Sequence, residues 1–215
     1  DEFTMDADGT RSAPGFSAVS VLMPPGRYTV RLTVDGATQS QPLEVRRDPN
    51  IPATEADIVA SVNAQLQMQA QMASLGDWVN QMEAVRSQVQ QLTADLAAGK
   101  PNADLKPAVD SVGHKFTDLE SSIVDLRQTG QGQDGVRWPV QLAGQLNYLI
   151  GNISNSADAP PNQPQQSVYQ ILSDEARGAK VALDRLISQD LAALNARLRA
   201  RGLKPIETSL QNVVP

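Results

Sequence analysis

Three kinds of side chain in this sequence sit where chemistry is conceivable: paired acids, a single histidine and two tryptophans. Glycoside hydrolysis needs two carboxylates across a sugar-sized cleft, one with a raised pKa. Asp118 and Glu120 are near neighbours, as are Asp174 and Glu175. On a helix, residues one or two apart point away from each other, so both pairs are expected on solvated faces, where acids ordinarily stay. His114 is the sole histidine; a Ser-His-Asp triad or a histidine-rich metal centre would depend on it alone. It lies beside an apolar seam, between Val112 and Phe116, and reads as a partly exposed helix residue.

Trp78 and Trp138 are the candidate interaction residues, because an indole face offers apolar area with a polar edge, as sugar stacking requires. Packing competes with that role at both positions: Trp78 adjoins Val79, and Trp138 precedes a helix start. Met68, Met72 and Met82 could make an adaptable binding surface, although their spacing suits core filling. Gly130-Gln131-Gly132 lacks a following Gly-Lys-Ser/Thr phosphate signature and reads as a linker. No catalytic residue, cofactor or metal site is expected from this set.

Two unlike kinds of element must position these residues. Tyr28, Val30, Leu32 and Val34 alternate with Thr29, Arg31 and Thr33, the period of a half-buried strand. Asp35-Gly36 supplies a two-residue hairpin turn, Leu43 and Val45 mark the return strand, and Pro42 points to an edge or a bulge. Phe16, Val19, Val21 and Met23 could add one weak strand, after a polar lead-in over 1–14. Two or three strands are too few to stand alone.

Beyond Pro49 and Pro52 the period becomes helical. Thr54-Glu55-Ala56-Asp57 resembles a capping box and opens a helix over about 54–98, roughly 65 Å long. A second, over about 104–129, interleaves Leu105, Val112, Leu119 and Leu126 with Val109, Phe116 and Ile123, giving the 4-3 seam of a coiled-coil-like helix. Trp138-Pro139 opens a third, over about 137–156, with Pro139 in its first turn. A fourth runs over about 165–201 and stops at Gly202. Gly76, Gly113, Gly144, Gly151 and Gly178 lie inside these helices, where each costs about 1 kcal/mol relative to Ala; close helix approach and local bending are the two explanations.

The 215 residues carry a net charge of −6, 40 % hydrophobic and 4 % aromatic residues. That balance fits an aliphatic helical core and gives no basic footprint for nucleic acid. No apolar run approaches the roughly 20 residues needed to cross a bilayer. Without cysteine there are no disulfides or thiolate ligands. The start at Asp1 leads us to expect a processed or partial chain.

The fold class expected is mainly α with a small β part: an elongated antiparallel four-helix bundle over 52–206, preceded by a partial immunoglobulin-like β segment over 1–51 and followed by a tail over 207–215. Residues 24–51, PPGRYTVRLTVDGATQSQPLEVRRDPNI, resemble a pattern near the C-terminus of bacterial sortilin-like, BNR/Asp-box β-propeller proteins. The matching positions are Pro25, Gly26, Tyr28, Val30, Leu32, Val34, Asp35, Gly36, Gln41, Leu43, Val45, Asp48 and Pro49. Weaker likeness continues at Trp138-Pro139, Ser156-Ala157-Asp158, Asp190 to Asn195 and Gly202-Leu203.

The resemblance implies an immunoglobulin-like hairpin after a propeller, a helical tail, and a secreted multidomain parent in the periplasm, outside the cell or on its surface. No Asp-box or propeller blade is found in these residues, so sugar hydrolysis does not carry over. The expected function is a non-enzymatic structural or interaction module in assembly or display, partnered by another protein, by itself or by the upstream propeller of its own parent. The alternative is an accessory domain that orients a carbohydrate-active or peptide-binding propeller or contacts its substrate.

Overall fold

The computed structural model describes residues 21–97, 100–126, 138–156 and 158–209, which are mainly helical with one small antiparallel sheet. Strands β1 (Gly26–Val34) and β2 (Ala37–Val45) pair without interruption from Gly26 opposite Val45 to Val34 opposite Ala37. Asp35 and Gly36 both take positive φ, 49° and 82°, the two-residue turn whose twist matches the flanking strands. Pro42 faces Thr29 in this continuous register, so it marks an edge rather than a bulge. Tyr28, Val30, Leu32, Val34 and Leu43 share one face of the hairpin. Phe16 and Val19 lie outside the described residues, while Val21 and Met23 precede β1 without forming a strand.

Helix α1 (Glu55–Asp95) starts at the expected capping box: the Asp57 amide donates to Thr54 Oγ1 (3.2 Å), and the Thr54 amide donates to Asp57 Oδ2 (2.9 Å). At its foot Ala53, Ile58 and Val62 form a small apolar cluster with Val21 and Ile51, apart from the main core. A 3-10 turn (Ala103–Leu105) leads into α2 (Lys106–Ile123). The expected extension to 129 fails because Val124 leaves helical backbone at φ −135°, ψ 149° and turns its side chain into the core.

Helix α3 is Leu142–Ser154. Trp138 and Pro139 therefore precede the helix instead of opening it; Gln141 is the extended N-cap. Helix α4 (Gln163–Arg185) begins two residues before its expected start, because Asn162 and Gln165 form a second capping box with both bonds at 2.9 Å. The helical run then passes through a π segment (Leu186–Leu191) into α5 (Ala192–Ala200).

The main core lies where α1 packs on α2, α3 and α4, with α4 also against α2 and α3. Phe116, Met68, Leu75, Met82, Leu146 and Leu198 are among its fully buried side chains. At Gly113 the approach of α1 is close: a Cβ there would lie 2.6 Å from Val89 Cγ1. Close approach therefore explains Gly113, whereas a Cβ at Gly151 or Gly178 would meet nothing.

Candidate functional site

The helical body buries a charged cluster where α1 faces α2. Glu120 is fully buried and Glu83 nearly so. Arg86 Nη1 donates to Glu120 Oε2 at 2.7 Å and stands 3.6 Å from Glu83 Oε1. Asn80 Oδ1 is buried without a hydrogen-bond partner. Burial pushes the Glu120 carboxyl up to about 8, reinforced by the hydrogen bond and negative charge of the neighbouring Glu83 and opposed by Arg86.

Neighbouring carboxyls of which one has a raised pKa are the raw material of acid–base catalysis. Here they are withdrawn from solvent, out of reach of a substrate in this structure. The expectation of a solvated Asp118/Glu120 pair is corrected for Glu120. Asp118 is exposed; Glu120 continues the sequence Val109, Gly113, Phe116, Glu120, Ile123, whose 4-3 spacing is the true core seam of α2. Leu119, one residue away, is only half-buried. That spacing was the signal available in the sequence, and a seam read from apolar residues alone passed over it.

An open groove of about 920 Å³ runs between α2 and the α4–π–α5 run. Val112, Leu119, Val181 and Leu186 line it with Lys115, Asp118, Arg185, Asp190 and Arg197. Lys115 and Asp190 form an ion pair that joins α2 to the π segment. His114 is exposed, as are Asp174 and Glu175, with Asp174 bonded to Arg177 Nη1 at 2.7 Å.

Trp78 is half-buried against the main core, and Trp138 is 37 % exposed ahead of α3. Met68, Met72 and Met82 are core. Gly130-Gln131-Gly132 lies outside the described residues. Among the described residues there is no group of three or more His, Asp or Glu side chains placed to hold a metal ion, and no helix is long and apolar enough to cross a membrane.

The hairpin presents the other candidate surface. Val30, Leu32, Val34 and Leu43 are 51, 62, 56 and 47 % exposed. No strand residue is buried, and none of the described helices covers either face. Among the described residues the sheet contains only these two strands, and no described strand pairs with the outer edge of either. No family model, curated protein or solved structure matches this chain.

Proposed function

We propose that this chain is a non-enzymatic interaction module: an elongated antiparallel four-helix bundle that carries the hairpin of an immunoglobulin-like domain. It serves assembly or display at the C-terminal end of a larger secreted or cell-surface propeller-type protein. The observation that carries this reading is the uncovered apolar face of Val30, Leu32, Val34 and Leu43. A two-stranded hairpin is marginal in water by itself, and its open edges are templates for further strands. The occupant is the remainder of the immunoglobulin-like sheet in the parent or another protein offering the same β surface and, for the isolated chain, the hairpin of a second copy. The non-enzymatic reading is supported by the enclosure of Glu120, whose raised pKa would otherwise suit acid–base chemistry.

Immobilised chain offered the separately expressed upstream segment of its reading frame tests the proposal. Retention that disappears in a Leu32→Lys variant is expected. Retention indifferent to that charge would count against the hairpin as the docking element. A second reading, an accessory domain touching the substrate of a propeller, is favoured by the partly exposed Trp138. Glycan arrays of the parent with and without residues 52–215 separate the two, and identical profiles would remove a substrate role for the helices.

A further inference from the structure

We propose that the cleft holding residues 203–207 is a binding site for an extended peptide, occupied here by the chain's own tail. After α5 the chain reverses at Gly202 (φ +71°), with the Leu203 amide donating to Leu198 O at 2.9 Å. The tail is then gripped through its backbone. Asn195 Nδ2 donates to Ile206 O (2.8 Å), while the Ile206 amide donates to Asn195 Oδ1 (2.8 Å). Gln88 Nε2 donates to Glu207 O (2.7 Å), while the Glu207 amide donates to Gln88 Oε1 (3.0 Å).

A side-chain amide can meet the N–H and C=O of one residue together only when both point the same way, as they do in extended backbone. Successive residues of such a chain present opposite edges. Asn195 from α5 and Gln88 from α1 therefore hold the tail from its two sides, each replacing a neighbouring strand. Ile206 fills the main core between them at 4 % exposure. Pro205 fixes its own φ and biases Lys204 towards extended backbone, so the segment enters the cleft with little conformational freedom to lose.

Recognition of this kind reads main chain plus one aliphatic side chain. Asn195 is itself buried, and with the tail gone its amide would lose both partners. The cleft thus has reason to stay filled. Its ligand class is an extended peptide carrying Pro followed by Ile, Val or Leu, and the tail acts as a competitor tethered at high effective concentration. Arg201 bonds the end of α5 to Asp104 (2.8 Å) and Asn102 (3.1 Å), contacts that do not involve the tail.

The test uses the full chain and a fluorescein-labelled peptide Leu-Lys-Pro-Ile-Glu-Thr-Ser. Ile206→Asp expels the tail and is expected to bind the peptide at least tenfold more tightly than wild type by polarisation. Adding Asn195→Ala to that variant should abolish the gain. A folded Ile206→Asp chain, judged by circular dichroism, that binds no better than wild type would overturn the proposal. Wild-type chain provides a second measurement: excess peptide should accelerate amide exchange at Ile206 and Glu207, and unchanged exchange would overturn it equally.

Discussion

At the scale of single residues, the Glu83–Arg86–Glu120 cluster makes stability depend on pH in an unusual direction. The folded pKa of Glu120, about 8, lies above its ordinary 4.5, so the folded chain holds a proton that the unfolded chain releases. The associated stabilisation is complete below about pH 4.5 and is lost as pH rises through about 8, at no more than about 1.4 kcal/mol per pH unit. Urea midpoints should therefore fall between pH 5 and pH 8.5, and Glu120→Gln should flatten that decline. Arg86→Met leaves the acid pair without its cation and should destabilise by about 3 kcal/mol in urea unfolding at pH 7. Gly113→Ala drives a methyl into Val89; a loss of about 1–3 kcal/mol is expected, largely restored by adding Val89→Ala. Glu120 was hidden from sequence reasoning by its type, since acids are assigned to the surface by default, whereas its spacing from Val109, Gly113 and Phe116 placed it in the core.

At the scale of elements, apolar periodicity showed that helices exist, and caps decided where they begin. Thr54 and Asp57 were readable because the capping pattern stands immediately after Pro52 and before an apolar stripe. Asn162 and Gln165 make the same device, yet they lie in a proline-punctuated stretch that reads as linker. Asn162→Ala should lower stability by about 1 kcal/mol and fray the first turn of α4, detectable as faster amide exchange at Gln165 and Gln166. The end of α2 was not readable, since no Gly or Pro marks Val124; burial of that side chain outweighs continuation of the helix. The π segment carries no local signature in the sequence either, because one additional residue within a helical run leaves composition unchanged.

At the scale of the whole molecule, apolar surface is distributed unequally. The helices enclose one continuous core, Ala53, Ile58 and Val62 make a second small cluster, and the hairpin belongs to neither. Strand period and the Asp35-Gly36 turn made the hairpin legible, but not its uninterrupted register, since Pro42 was equally compatible with a bulge. What covers it was not legible, because alternation tells which side chains want burial and not what buries them. The proposed role rests on that unsatisfied face. Light scattering of the isolated chain over a wide concentration range, beside a Val30→Lys/Leu32→Lys variant, tests it most directly. The account expects the wild-type mass to rise with concentration while the variant stays monomeric with the same helical content. A wild-type chain that remains monomeric throughout, indistinguishable from the variant, would contradict it.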